Sequence, residues 1–269
     1  MIDTHAHLDS PQFADDLDAV LERAHASGVT RIISIGTGIE SSRRVVALAE
    51  KYSSIYAVVG VHPTDVAEQG CNFIKELRTL ACHPKVAALG EIGIDYYHKP
   101  SELSPEGEIH WKQDQAEAFQ HQLDLAVEIG LNVIIHVRDA KGSNDAWQET
   151  LRLLQPYSGK TRGVFHCFGG TAAQATEVIS LGHLVSFTGI ITFKNAPLVR
   201  ETAAIVSSDS YMVETDCPYL APVPYRGKRA EPAHTRLVAE KIAEVRGISL
   251  EEVARATTAT AEKFFNLKS

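Results

Sequence analysis

The chain lacks the signatures of several common protein classes. Its four cysteines, Cys71, Cys82, Cys167 and Cys217, lie far apart and form no C-x-x-C pair. Neither a disulfide framework nor a zinc knuckle is expected from them. No apolar run approaches the roughly 18 residues that a membrane span needs. No signal peptide precedes the first apolar segment at Ile2, so a cytoplasmic protein with no membrane association is expected. Excess positive charge is missing too. The formal net charge of −8 argues against a basic, nucleic-acid-coating surface, although it leaves a local basic patch open. No G-x-G-x-x-G or P-loop pattern stands at a first turn, which disfavours a dinucleotide fold.

What remains is an ordinary core-forming composition: 44% hydrophobic and 22% charged over 269 residues. Short apolar runs alternate with helical periodicity along the whole length. Phe13, Leu17, Val20, Leu21 and Ala24 form an i, i+4, i+7, i+8, i+11 stripe, and Gly28 follows where a helix C′ glycine belongs. Strand-like runs are read from Ile2 to about Asp9, and at 31–38, 55–63, 86–95, 132–138, 163–170, 184–189 and 211–216. A long helix is expected from about Ile109 to Ile129 and a last one from Leu250 to Phe265, with Ser249 and Glu252 in capping-box spacing. Eight strand–helix alternations without a break in composition imply a parallel sheet. In a chain of this length they favour one (β/α)8 TIM barrel domain over residues 1–269, rather than an open doubly wound sheet.

Barrel active sites lie at the C-terminal ends of the strands. There the apolar runs become polar: His5, His7 and Asp9, then His62, Glu91 and Asp95, His136 and Arg138, His166, and Glu214 and Asp216. His5 and His7, two apart, share a face of their strand. Alone, such a pair is more often an incidental surface feature. Ionisable groups recurring at one end of several strands are costly to bury unless they meet around a common centre. Four imidazoles (His5, His7, His136, His166) and two carboxylates (Glu91, Asp216) suit a divalent ion such as zinc or manganese. Six ligands exceed one catalytic site. A bridging carboxylate between two ions about 3.5–4 Å apart accommodates them, with Glu91 as the bridge. Asp216 is the candidate base for an acidified water.

These residues fall in a longer pattern: D-T-H-A-H-L-D at Asp3–Asp9, G-V-H-P at Gly60–Pro63 and G-E-I-G-I-D-Y-Y at Gly90–Tyr97. It continues with I-H-V-R-D-A at Ile135–Ala140, H-C-F-G-G at His166–Gly170 and S-F-T-G at Ser186–Gly189. E-T-D-C-P-Y-L at Glu214–Leu220 and P-Y-R-G-K-R-A-E-P at Pro224–Pro232 complete it. In these pieces the chain resembles the TatD family of metal-dependent deoxyribonucleases, a branch of the amidohydrolase-like barrels. The resemblance implies His5, His7, Glu91 and Asp216 at one metal, and Glu91, His136 and His166 at the other. It also implies 3′-to-5′ trimming of single-stranded DNA with two divalent ions (Zn, Mg or Mn) per subunit. Departures are small: Ala230 stands where the family often has Asn, and Val137 where it often has Ser.

Arg226, Lys228 and Arg229 follow the last strand, and cations beside a two-metal centre suit a phosphodiester. With His62 and Arg138 they are the candidate substrate-binding residues; read alone, the loop is simply an exposed basic segment. Tyr96, Tyr97 and Tyr225 are candidates for stacking on bases. Asp9 and Asp95 are candidates for holding ligand imidazoles. His25, His83, His98, His110, His121 and His183 are expected to be solvated, and Cys167 and Cys217 to be buried packing. The rival enzymatic reading is C–N or ester hydrolysis on a small molecule. Many relatives of that kind bridge their metals with a carboxylated lysine, where Glu91 stands here. A non-catalytic binding barrel is the third reading.

Overall fold

The computed structural model describes residues 1–70 and 72–267, so what is expected of Cys71 lies outside the described residues. In order they form β1 (Ile2–Ala6), α1 (Leu17–Ala26), β2 (Arg31–Ile35), α2 (Ile39–Lys51), β3 (Ile55–Val59), α3 (Phe73–Ala81), β4 (Val86–Asp95) and α4 (Pro105–Ile129). There follow β5 (Val133–Arg138), α5 (Asp145–Leu154), β6 (Gly163–Phe165), α6 (Ala172–Ser180), β7 (Leu184–Phe187), α7 (Pro197–Ile205), β8 (Tyr211–Val213), α8 (Thr235–Arg246) and α9 (Leu250–Phe264). The strands pair in sequence order, each parallel to the next. Closure comes just beyond β8: Ala6 bridges Cys217, and the Asp216 N–H donates to the His5 carbonyl at 2.9 Å. The (β/α)8 barrel expected from the alternation is the fold observed. None of the described helices is long and apolar enough to cross a membrane.

Boundaries moved for identifiable reasons. Helix α4 begins at Pro105, four residues before the apolar periodicity starts. The Ser104 hydroxyl caps the Gly107 N–H, proline occupies the first turn, and Glu106 and Glu108 complement the helix dipole. Strands β6 and β8 stop short of their apolar runs, because Cys167 (φ 47°) and Asp216 (φ 60°) adopt left-handed backbone that no ladder continues.

The barrel interior is one cluster with a contribution from every strand: Ile2, Ile33, Ile35, Val58, Ala88, Ile134, Val164, Leu184 and Met212. Helix α9 closes its N-terminal mouth with Phe264 and Phe265, each almost fully buried. Burial of that size contributes about 1.5–3 kcal/mol per side chain. Counting by twos from the interior residues puts His136 after Ile134, His166 after Val164, and Glu214 and Asp216 after Met212 on the inner face. In β1 and β4 the count is odd, from Ile2 to His5 and from Ala88 to Glu91. Both strands carry a register shift there, between Asp3 and Ala6 and between Leu89 and Ile92. Each shift re-aims the polar end of its strand inward.

His183, expected to be solvated, is 5% exposed, and its Nδ1 accepts the Gly163 N–H at 2.9 Å. Burial, aided by Arg162, pushes its pKa down to about 4 from the ordinary 6.5. Above about pH 6.5 the ring is neutral in both states and its contribution is complete. As pH falls from 6.5 toward 4, the unfolded chain takes up a proton that the folded chain refuses, and stability is lost. Between pH 7.5 and 5 this loss is expected to be about 2 kcal/mol. Urea unfolding at the two pH values should show that difference shrinking by about this amount in His183→Gln. An equal pH dependence in both proteins would refute the assignment.

Candidate metal centre

Glu91 lies on the barrel axis side of β4, 3% exposed. Its approach requires bare backbone around it. A Cβ on Gly60 would overlap the Gly90 carbonyl, and one on Gly93 (φ 146°) would overlap the carbonyl of His136. Its two oxygens face different imidazole groups. Oε1 lies 2.6 Å from His166 Nε2 and 2.7 Å from His136 Nδ1, while Oε2 lies 3.4 Å from His5 Nε2 and 3.9 Å from His7 Nε2. Asp216 Oδ1 completes the second group at 3.3 Å from His7 Nε2 and 3.7 Å from His5 Nε2. The six residues named from the strand ends therefore converge, and Glu91 stands between two subsets.

The imidazoles are oriented from behind. His7 Nδ1 donates to the Ile35 carbonyl at 3.3 Å, which fixes the tautomer that leaves Nε2 free toward the centre. His136 Nε2 meets Asp95 Oδ2 at 2.9 Å, and the same carboxylate oxygen meets His98 Nδ1 at 2.8 Å. Behind His166, Glu214 Oε1 lies 3.6 Å from Nδ1. Glu214 is held in turn by the Cys167 N–H at 2.7 Å and the Ser186 hydroxyl at 2.6 Å. His5 Nδ1 has no such partner among the described residues. Asp3, fully buried beneath it, accepts the Thr215 N–H and hydroxyl and ties β1 to the end of β8; burial raises its pKa to about 7.

The donor set fits divalent ions. Four ligands about 2.0–2.1 Å from an ion are separated by roughly 3.3 Å along a tetrahedron's edge. His5 Nε2 and His7 Nε2 are 3.2 Å apart, His7 Nε2 and Asp216 Oδ1 3.3 Å, and His136 Nδ1 and His166 Nε2 3.3 Å. When each ring carries its hydrogen on its other nitrogen, two such nitrogens turn lone pairs toward each other, and both can face one cation. Charge points the same way. Burial alone would raise the Glu91 pKa, yet the imidazoles of His166, His62 and His136 outweigh it and hold the carboxyl well below its usual range. Burial likewise opposes protonation of His166, but Glu91 and Glu214 raise its pKa well above the ordinary value. The centre is built around negative charge that positive charge must match.

The profile for TatD-related DNases matches residues 2–266. The chain belongs to the TatD family. A Bacillus subtilis protein named as an uncharacterized metal-dependent hydrolase, YabD, is 38% identical over 268 residues, covering 99% of both chains. A Citrobacter rodentium protein named 3'-5' ssDNA/RNA exonuclease TatD is 34% identical, covering 99% of this chain and 98% of that one. The crystal structure of the Escherichia coli TatD homolog YJJV has a TM-score of 0.86 at 30% identity, covering 100% of this chain and 98% of that one. As a TatD-family member the protein is a metal-dependent hydrolase.

The other residues named in the sequence are distributed unevenly. His62 lies inside the centre, with Nε2 3.6 Å from Glu91 Oε1 and Nδ1 2.6 Å from the Thr64 hydroxyl; burial pushes its pKa down to about 3. Arg138 is exposed and stacks on the Tyr97 ring at 4.1 Å. Arg226 lies over Phe193 at 3.6 Å, and Lys228 is exposed. Arg229 does not face the centre freely: it is paired with both oxygens of Asp16, at 2.8 and 2.7 Å, because the loop folds back onto the segment before α1. Asp9 serves Ser41 and Arg44 rather than an imidazole. Tyr96 is buried, which removes it as a stacking platform, whereas Tyr97 and Tyr225 are exposed. Cys217 is buried as expected, while Cys167 is only partly so. His98, expected to be solvated, is half-exposed and bound to Asp95. Ala230 is fully buried, and its N–H donates to Pro218 at 3.0 Å.

Glu214 was visible in the sequence as a strand-end carboxylate but carried no role there. Its spacing two residues before Asp216, on the same inner face, was the available signal. Glu214→Gln is expected to weaken Mn²⁺ or Zn²⁺ binding by roughly 10–100-fold. Calorimetric titration of the metal-free protein measures it, and unchanged affinity in a folded variant would exclude an orienting role for this carboxylate.

Proposed function

We propose that the protein is a two-metal deoxyribonuclease that removes nucleotides from the 3′ end of single-stranded DNA. The observation that carries this reading is Glu91, with one oxygen toward His136 and His166 and the other toward His5 and His7. A carboxylate so placed suits a pair of ions clamping the attacking and leaving oxygens of an in-line displacement. Two divalent ions, one held by His5, His7 and Asp216, the other by His136 and His166, with Glu91 shared, would supply Lewis acidity and an acidified water. The metal could be Zn, Mg or Mn with this mixed donor set.

The protein's own groups then divide the remaining work. Asp216 takes the proton of the attacking water; burial would raise its pKa, but His7 and His5 beside it keep it ionised. Arg138, Arg226 and Lys228, all exposed, are the cations that hold the substrate's phosphates. His62, kept neutral, donates a hydrogen bond near the reacting phosphate. Arg229 acts less directly, by pinning the basic loop to Asp16. The name of the Citrobacter rodentium relative supports a nucleic-acid substrate.

Incubation with 5′-labelled single-stranded DNA and Mg²⁺, Mn²⁺ or Zn²⁺ is expected to give a ladder shortened from the 3′ end. Chelation should abolish it, and Glu91→Ala should lower the rate by about 10³-fold or more. Metal analysis should find two ions per chain in the wild type and fewer in Glu91→Ala. Hydrolysis of amides or lactones with none of DNA would overturn the reading.

A further inference from the structure

Tyr219 stands three residues beyond Asp216, at the C-terminal mouth of the barrel, with 57% of its surface exposed. The backbone that carries it is fixed rather than loose. Its N–H donates to the Asp216 carbonyl at 3.0 Å, and the Ala230 N–H holds the preceding Pro218 carbonyl at 3.0 Å. Leu220 adopts φ 54°, and its carbonyl packs so closely on Gly189 that a Cβ there would overlap it. A large ring is thus held in solvent by a rigid turn. Its nearest aromatic neighbour is His7, with centroids 6.1 Å apart and planes at 65°. The ring therefore flanks the group formed by His5, His7 and Asp216.

The other exposed tyrosines among the described residues are already covered on a face. Tyr97 carries the Arg138 guanidinium at 4.1 Å, and Tyr225 is stacked parallel to His234 at 4.6 Å. Tyr219 has neither a cation nor a parallel ring against it among the described residues. A face kept bare beside the reacting centre is suited to a flat partner, and in a nucleic acid the flat partner is a base.

We propose that Tyr219 binds the base of the 3′-terminal nucleotide by stacking, and so positions the scissile phosphate over the metal centre. The proposal rests on the nuclease reading above and goes beyond it by naming the residue that receives the base. Stacking is tolerant of base identity, because every base has a π-face. It also requires a terminal base free of a complementary strand, so the same contact favours single-stranded ends. The phenol hydroxyl has no part in it.

The test compares two 5′-labelled oligonucleotides, one with an ordinary 3′ nucleotide and one ending in an abasic tetrahydrofuran residue. Full-length Mn²⁺-loaded wild type, Tyr219→Phe, Tyr219→Leu and Tyr219→Ala are assayed on both. The wild type is expected to favour the base-bearing end roughly 5- to 150-fold in kcat/KM. Tyr219→Phe should keep that ratio; Tyr219→Ala should bring it close to one, and Tyr219→Leu, which retains bulk without a π-face, should lower it markedly. An unchanged ratio in Tyr219→Ala and Tyr219→Leu, or no ratio in the wild type, overturns the proposal while the ladder itself leaves the nuclease reading standing. A wild type that shortens neither oligonucleotide overturns both.

Discussion

The structure depends on one expensive arrangement, a carboxylate buried on the axis of a barrel with five imidazoles around it. Glu91 is withdrawn from water, and its charge is tolerable only because positive charge faces both of its oxygens. Without ions that duty falls on protons, and the imidazoles do not share it evenly. His136, His7 and His166 are drawn toward the charged form, whereas burial holds His5 and His62 toward the neutral one. Such a cluster contributes little to folding. It persists because the barrel beneath it is closed on all sides, from the Asp216–His5 hydrogen bond at the seam to the Phe264 and Phe265 plug at the opposite mouth.

The same centre explains irregularities in the strands. A parallel barrel strand aims every second side chain inward, and in β5, β6 and β8 this alternation alone delivers His136, His166 and Asp216. In β1 and β4 it would have aimed His5 and Glu91 outward. The register shifts in those strands are where the regular ladder yields to the site. Left-handed backbone at Cys167 and Asp216 serves a similar end. At Cys167 it turns the N–H toward Glu214, so that a backbone donor steadies the carboxylate behind His166.

Much of this was legible in the sequence, and the boundary of legibility is physical. The barrel follows from eight apolar runs separated by helical stripes, since both periodicities are local. The candidate ligands follow because an ionisable residue ending an apolar strand has few inexpensive places to go. Contacts set by tertiary packing were not legible. Nothing local distinguishes Arg229, bound to Asp16 more than two hundred residues away, from Lys228, which is exposed. Nothing local says that His183 would be buried beneath Gly163, or that Asp9 would turn to Ser41 and Arg44. Helix α4 is an intermediate case: its true start was encoded in Ser104 and Pro105, but the capping signal lay outside the apolar periodicity used to place the helix.

Electrostatics at the mouth sharpen what kind of substrate the fold can serve. A formal charge of −8 opposes long-range attraction of a polyanion, so capture must rest on short-range contacts. Of the basic loop's three cations, one is neutralised by Asp16 and one lies on Phe193, which leaves a thin positive rim rather than a groove. On the proposed nuclease reading, that rim suits a flexible end better than a long duplex, because an end brings few phosphates and can offer its terminal base to an aromatic face. The physical economy of the site is therefore local throughout: strong charge matching on the axis, and weak, adaptable contacts at the rim.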